Sequence, residues 1–375
     1  MGKHLVLVGA GHAQLTPLTR IAVYLHRGHR VTLINPFSYS YYSGMGPGLL
    51  SGVYDPPRVR FNVRKMAERG GAEFIEDSVS AIDAGNRRLL LRGGQILPYD
   101  VASFNCGSDV SIDPLWSLNS RMIAVKPVLN LYKARSSILN EAHGRPLRIV
   151  VAGGGPGGVE VCANLWRLLH NNGRPAQIVL VAGERLLEGC PPGARRLALK
   201  SLGGRGIEVI EGKRVRSVEK TWLTLSDKET LSYDYVFLAM GIRPSVIFRD
   251  SGLRVALDGS LPVNRFLQSI DYPELFGGGD CISLEGATLA RVGVHAVRQG
   301  PILHNNLLAA LDGGEMKSYI PKEDYMLILN MGDSKGILFK RGRTCGGRLP
   351  FLLKDFIDRR FMRKFQITGE LDESI

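Results

Sequence analysis

The sequence predicts an α/β fold made of two Rossmann-like dinucleotide-binding units, followed by a small C-terminal hairpin and helix. Two glycine-rich motifs and one periodic segment predict it. The first motif is His4-Leu5-Val6-Leu7-Val8-Gly9-Ala10-Gly11-His12-Ala13. The second is Leu147-Arg148-Ile149-Val150-Val151-Ala152-Gly153-Gly154-Gly155-Pro156-Gly157-Gly158-Val159-Glu160. In each, an apolar β-branched run enters a glycine turn and a helical pattern follows. A buried strand delivers the chain to a tight turn, glycines let the backbone approach a pyrophosphate, and the helix aims its free N–H groups and positive dipole end at the phosphates. One such string is a weak signal. Two in the same strand–turn–helix context point to an enzyme holding two dinucleotides, a flavin and a nicotinamide being the usual pair.

The elements follow in order. Residues 5–9 read as a strand, 12–27 as a helix and 31–35 as the next strand. The stretch 35–52, rich in Gly, Ser, Tyr and Pro, reads as loop. Residues 87–92 and 99–104 read as strands, and a linker follows near 108–120. The second unit starts at 147, with a helix over 157–171 and a strand over 177–181. Tyr233 to Gly241 is a strand entering a glycine turn, and Phe276-Gly277-Gly278-Gly279-Asp280 opens another. A helix runs from Val294 to about Leu311. Residues 325–341 form a hairpin turning at Gly332-Asp333-Ser334-Lys335, and Leu349 to Phe365 is the last helix. This gives a first-unit segment at 1–110, a second unit with its linker at 111–265, a return to the first unit at 266–320, and a C-terminal hairpin and helix at 321–375.

Composition bounds the function. A chain of 375 residues supports two or three cores, and 45 glycines suit many tight βα turns. No apolar run approaches the ~18 residues of a membrane-spanning helix. The first strand begins at His4, leaving no room for a signal peptide. Five cysteines, Cys106, Cys162, Cys190, Cys281 and Cys345, are scattered with no CxxC. That argues against a disulfide framework or a metal site and for a reducing, cytoplasmic setting. The net charge of +13 calls for an anionic partner. Between Lys335 and Phe365, ten Lys and Arg face two Asp. With no nucleic-acid-binding motif beside them, a membrane surface ranks ahead of nucleic acid. In the last helix Leu349, Leu352, Leu353, Phe356, Ile357, Phe361 and Phe365 share one face, with Lys354, Arg359, Arg360, Arg363 and Lys364 mainly off it. That face suits its own core, a second copy, or an anionic bilayer.

Four further strings carry a family likeness: Tyr42-Ser43-Gly44-Met45-Gly46-Pro47-Gly48, Val125-Lys126-Pro127, Gly293-Val294-His295-Ala296-Val297-Arg298-Gln299-Gly300-Pro301, and Asp355-Phe356-Ile357-Asp358-Arg359-Arg360-Phe361-Met362. With the two glycine motifs, the chain resembles the pyridine nucleotide-disulfide oxidoreductases, in the branch of type II NADH dehydrogenases and sulfide:quinone oxidoreductases. Within it, the likeness is to NADH-dehydrogenase-like proteins that occur alone or fused ahead of selenide, water dikinase. No kinase domain follows residue 375, so the resemblance implies the freestanding form. It implies that the first unit and the 266–320 return bind FAD, and that the second binds NADH or NADPH.

The resemblance assigns cofactor contacts to Gly9, Gly11, His12, Ala13, Asn35, Pro36, Ser43, Gly44, Met45, Val79, Gly107, Gly153, Gly155, Gly158, Glu184, Gly241, Gly279, Asp280, Val294, His295 and Ala296. Gly9 and Gly11 would hold the FAD pyrophosphate. Gln14 stands where the third glycine belongs, with Ala13 left to give close packing. Asn35 stands where an acid usually binds the ribose, so the acceptor remains without charge assistance. Asp280 would bind the ribityl region, or serve as a turn residue. The helix from Val294 would aim its dipole at the flavin pyrimidine edge, where a reduced flavin is anionic. His295 would bond the flavin or point at solvent.

In the second unit Gly153, Gly155 and Gly158 match the full GxGxxG spacing. Ala182-Gly183 replaces the usual acid, and Glu184 could reach a 2′-hydroxyl while Arg185 could meet a 2′-phosphate. The balance favours NADH. A second unit that no longer binds nicotinamide well is the alternative. Glu160 would lie one turn into the helix near the flavin–nicotinamide contact, as a proton relay or gate, or simply complement the helix dipole. Ala296 and Gln299 approximate a pattern that lines the quinone entrance in type II NADH dehydrogenases; a structural bridge is the alternative for Gln299. Residues 37–52 hold no cysteine. Cys162, two residues past Glu160, faces about 200° round the helix. Cys345 could approach the flavin, and Cys106 and Cys281 read as small buried residues.

The expected activity is hydride transfer from NAD(P)H to flavin N5 and onward transfer to a quinone-like acceptor, with Glu160 and Gln299 as catalytic candidates. The rivals are sulfide or selenide oxidation through Cys345 or Cys162, and a non-catalytic flavin-binding partner of a selenium-metabolising kinase. The expected location is cytoplasmic, peripheral on the inner face of the cell membrane through residues 349–365, with a homodimer as a further option.

Overall fold

The computed structural model describes residues 2–113, 116, 119–141, 145–322 and 324–373. Two five-stranded parallel sheets organise it. In the first, His4–Val8 lies at the centre, Arg30–Ile34 and Glu73–Ile75 step out on one side, and Val101–Phe104 and Leu275–Gly277 on the other. The second repeats this order, with Leu147–Ala152 central, Ala176–Val181 and Glu208–Ile210 on one side, and Tyr235–Leu238 and Met122–Ala124 on the other. His4–Val8 is buried at every position, as a parallel strand covered on both faces requires.

This order places each glycine turn at the carboxyl end of a central strand, where doubly wound sheets bind ligands. The chain returns to the first sheet at Leu275–Gly277, pairing Gly277 with Phe104. Phe248, Leu253, Leu261 and Val263, from the far end of the 111–265 segment, pack into the first core. Ser108–Val110 pairs antiparallel with Ile242–Pro244, so the two passages between the units run side by side.

Several local expectations change. The helix expected over 12–27 is two short pieces, Leu15–Leu18 and Ile21–His26. At Arg20 the backbone donates to Pro17, three residues back, and this tighter turn interrupts the helical ladder. The 35–52 stretch is not loop. Tyr39–Tyr41 pairs with Arg60–Asn62, and Gly46–Ser51 is a helix buried along its whole length. Its Gly48 is there for contact, because a Cβ would stand 2.5 Å from the Tyr54 ring. The expected linker near 108–120 begins with the paired strand Ser108–Val110, while residues 114, 115, 117 and 118 lie outside the described residues.

The C-terminal hairpin gains a third strand, Arg343–Gly347. Its Leu329, Met331 and Ile337 join the core of the second unit. The last helix, Arg348–Phe365, crosses back and puts Met362 and Phe365 into the first core. The C-terminal region thus clamps both units. Among the described residues no helix is long and apolar enough to cross a membrane.

Candidate active site

The first glycine turn is braced by one buried side chain, Asn105. Its Oδ1 accepts from the Ala13 N–H at 2.9 Å and the Gln14 N–H at 3.3 Å, and its Nδ2 donates to the Gly278 carbonyl. Three glycines close round it. A Cβ on Gly11 would stand 2.4 Å from Asn105 Oδ1, one on Gly279 2.5 Å from Nδ2, and one on Gly9 2.7 Å from the Asn105 carbonyl oxygen. Gly9 and Gly279 also have φ of +79° and +73°, which glycine adopts without strain. Ala13 is equally confined, 2.7 Å from the position of a Gly278 Cβ. Gln14 fills the third-glycine position from within the fold, donating to the Ser103 carbonyl at 2.5 Å.

The expected ribose acceptor, Asn35, is engaged elsewhere. Its Oδ1 accepts from the Ala10 N–H at 3.0 Å and its Nδ2 donates to the Phe37 carbonyl at 2.6 Å, so it braces the turn. Asp280 accepts from Lys126 Nζ at 2.8 Å and from Ser108 Oγ at 2.7 Å. Burial works to raise its pKa, but Lys126 and the hydrogen bonds win and hold it low. Gly107, with open space where a Cβ would stand, adjoins Ser108. His12, Ser43 and Gly293 come together: a Gly293 Cβ would lie 3.4 Å from His12 Nδ1 and 4.0 Å from Ser43 Oγ. Val294 and Ala296 sit in the first turn of the Gly293–Asp312 helix. Pro36 is exposed, Met45 is buried, and Val79 packs on the first core.

Two side chains in this region are buried rather than exposed at its surface. His295 does not point at solvent. It is buried, with Nδ1 3.1 Å from the Tyr319 hydroxyl and its ring against Tyr325. Gln299, expected at a quinone entrance as a catalytic candidate, is buried, and its Oε1 accepts from the Gly279 N–H at 2.7 Å. Its helix face turns inward onto the Gly278–Gly279 turn, an arrangement that fits the structural bridge.

The second turn is closed below and open above. Gly153 has φ of +127° and lies under the Ala239 carbonyl; Gly158 would meet the Gly153 carbonyl oxygen at 1.8 Å with any Cβ. Gly155 and Gly157 face open space. An uninterrupted helix, Pro156–Asn171, starts there. Glu184 is exposed and pairs with Arg214 at 3.2 Å, and Gly241 is also exposed.

Glu160 brings the three regions together. Its Oε1 accepts from the Asn330 N–H at 2.7 Å. Burial pushes its carboxyl up to about 7, against the pull of Lys354 and the Asn330 N–H. Lys354, from the last helix, donates to the Gly44 carbonyl at 2.7 Å and to Asp358 at 2.8 Å. Burial works against its charge, but Asp358 and Glu160 outweigh that and raise its pKa. Tyr42 donates to Asp358 at 3.1 Å, and its ring lies edge-on to His12 with centroids 5.2 Å apart. His12 is held down at about 4 by its setting, chiefly by desolvation, so its ring is neutral at physiological pH.

The last helix is therefore turned about relative to its sequence pattern. Lys354 faces inward with Asp358, whereas Leu349, Leu352 and Phe356 are 79%, 58% and 55% exposed. The stripe splits because only its end, Phe361 and Phe365, reaches Tyr42 and Phe61. Lys126, Ser108, Asn105, Asn330, Lys354 and Asp358 are site residues that sequence reasoning missed. The Lys126 and Asp358 strings carried the family likeness, which was the one available signal.

Neither Cys162 nor Cys345 is among the partners of Glu160 in the described residues. Cys162 is in the core of the second unit, where burial pushes its thiol up. Cys345 is exposed on the strand Arg343–Gly347. Cys281 is buried as expected; Cys106, at the turn beside Gly107, is exposed as a residue while its thiol is hydrogen-bonded to that of Cys281.

The first cradle fits a dinucleotide: glycine backbone at the strand end, an ionised Asp280 and a helix N-terminus converge on it. Comparison with known proteins agrees. Residues 3–300 match the family described as pyridine nucleotide-disulphide oxidoreductase. The chain is 26% identical over 303 residues to ferroptosis suppressor protein 1 of Taeniopygia guttata, covering 76% of each chain. It is 28% identical over 227 residues to demethylphylloquinone reductase NdbB of Synechocystis, covering 58% of this chain and 55% of that protein. Its fold is similar to NDH2 from Plasmodium falciparum, solved in complex with NADH, with a TM-score of 0.82 and 15% identity over 99% of this chain and 98% of that one. The chain belongs to the pyridine nucleotide-disulphide oxidoreductase family, as an FAD-dependent enzyme of NAD(P)H.

Proposed function

We propose that the protein is an NAD(P)H:quinone oxidoreductase whose electrons leave the flavin directly. The observation that carries this reading is the Glu160 cluster, where a protonatable carboxyl meets Lys354, Asp358 and Tyr42 between the two nucleotide cradles. Bound FAD supplies the redox chemistry, accepting hydride and passing electrons on. The first cradle would hold it through the Gly9 and Gly11 backbone, Asp280 and the N-terminus of the Gly293–Asp312 helix. Gly155 and the start of the Pro156–Asn171 helix would receive the pyrophosphate of the nicotinamide nucleotide. Glu184 supports NADH as the donor, through the 2′-hydroxyl.

Reducing a quinone to a quinol takes two electrons and two protons. Glu160, poised at about 7, holds a proton near neutral pH and can release it to a reacting oxygen. Lys354 favours the carboxylate that remains. The placement of Cys162 and Cys345 disfavours a sulfur carrier at this cluster. A quinone-reductase name on one relative, NdbB, supports the acceptor class.

The exposed face of the last helix supports attachment to an anionic membrane. Leu349, Leu352, Leu353, Phe356 and Ile357 form an apolar stripe, and the basic turn Lys340-Arg341-Gly342-Arg343 precedes that helix. A lipid surface would also hold a hydrophobic quinone. Steady-state oxidation of NADH with a short-chain quinone, set beside sulfide as donor, tests the activity. Quinone-dependent turnover with NADH and none with sulfide is expected; sulfide-dependent quinone reduction without NADH turnover would overturn the reading.

A further inference from the structure

Asn164, one turn beyond Glu160 on the same helix, is fully buried and uses every hydrogen-bonding position of its amide. Its Nδ2 donates to the Glu160 carbonyl at 2.8 Å and to the Asn330 carbonyl at 3.1 Å. Its Oδ1 accepts from Ser51 Oγ at 2.7 Å and from Asn330 Nδ2 at 3.4 Å. Ser51 ends the buried helix of the first unit, and Asn330 ends the first strand of the C-terminal sheet. One amide thus ties all three regions at the level of Glu160. The next turn is pressed onto the same helix: Asn330 Oδ1 accepts from the Gly332 N–H, and a Gly332 Cβ would stand 2.1 Å from the Ala163 carbonyl oxygen.

We infer that Asn164 is a positioning residue for Glu160, acting by holding the backbone of Asn330 through its carbonyl so that the Asn330 N–H stays on the Glu160 carboxylate. The inference rests on reading Glu160 as the proton-handling group proposed above. A buried amide with all four positions filled fixes its neighbours more firmly than apolar packing, because any shift strands a polar group away from water. The groups that act on Glu160 are Lys354 and Asp358 of the last helix and Tyr42 of the first unit; the Asn330 N–H is the contact from the C-terminal sheet. Lys354 and that N–H favour the carboxylate, while burial and Asp358 oppose it. Loosening the peptide removes one of the two favourable interactions, so the Glu160 carboxyl should rise further above about 7.

The test is a pH-difference infrared titration of the flavin-loaded protein without quinone, the Glu160 carboxyl band being the one lost in E160Q. N164L should move its midpoint up by roughly one pH unit, the scale of a lost hydrogen bond to a charged group. N330A removes the Asn330 side-chain bonds to Asn164 and to the Gly332 N–H while leaving the bond to the Asn330 carbonyl; it loosens the same residue, should move the midpoint the same way by less, and stands in if N164L does not fold. S51A removes a different contact of the same amide and should lower Tm with the midpoint unmoved. Wild-type midpoints in N164L and N330A would overturn the inference, as would a titration in which E160Q removes no band. Because no quinone is present, absence of quinone turnover would sink the proposed function and leave this result standing.

Discussion

The two glycine turns share a topology and differ in how they are closed. In the first, Asn105 fills the space behind Gly9, Gly11 and Gly279, Gln14 seals the third-glycine position, and the helix that follows is short and broken. In the second, glycine packs on glycine below, Gly155 and Gly157 face open space, and one 16-residue helix starts at once. A cradle braced by buried side chains from three segments suits a resident cofactor. A turn that is rigid below and open above suits a nucleotide that enters and leaves with each turnover.

The sharpest way to break this comparison is to add one methyl group to each turn. Gly11→Ala forces Asn105 aside and should reduce the flavin-to-protein absorbance ratio to near zero. Gly155→Ala meets no protein atom, so flavin content should hold while the KM for NADH rises about tenfold, or ~1.4 kcal/mol. Equal flavin loss in both variants would erase the distinction.

The meeting point of the cradles comes next. E160Q should slow quinone-dependent reoxidation by about 10²-fold and leave flavin reduction by NADH near the wild-type rate. The sign with pH follows from the raised carboxyl. Below about 7 the Glu160 carboxyl is protonated and above it ionised; on the proposed function that proton is the one quinone reduction uses. Quinone turnover should therefore fall as pH rises through about 7, and E160Q should lack that limb in a pH profile of kcat.

Gln14 gives a smaller effect. Q14A leaves the buried Ser103 carbonyl without its side-chain donor and should cost about 1–3 kcal/mol in denaturant unfolding, with the KM for NADH unchanged. The smallest effect on catalysis belongs to the outer face of the last helix. The double variant L352E/F356E should lose flotation with anionic liposomes and keep kcat with a water-soluble quinone within about twofold. Unchanged flotation would remove the membrane reading.

What could be read from the sequence was local. Glycine spacing located both turns, and periodicity placed the helices at 156–171, 293–312 and 348–365 within a residue or two. The place of Glu160 one turn into the helix was legible from the glycine turn before it, while its placing near the flavin–nicotinamide contact came from the family likeness alone. The partners of Glu160 were not legible: Asn330 and Lys354 lie 170 and 194 positions away, and no local pattern encodes that approach. Periodicity showed that the last helix has two unlike faces without showing which is buried. There the apolar stripe faces out, and Lys354 and Asp358 face in. Composition misled at 46–51, where Gly and Pro build a buried helix because Gly48 must fit under Tyr54.

The central claim is that hydride arrives from NAD(P)H at one cradle and electrons leave the other directly to a quinone. Anaerobic stopped-flow absorbance tests it most directly: the flavin-loaded protein is mixed with one equivalent of NADH and then with a water-soluble quinone. The account predicts that the visible flavin band bleaches on the first mix and returns on the second, in wild type and in a C162S/C345S variant alike. A band that stays oxidised with both NADH and NADPH, or a bleached band that quinone does not restore, would contradict it.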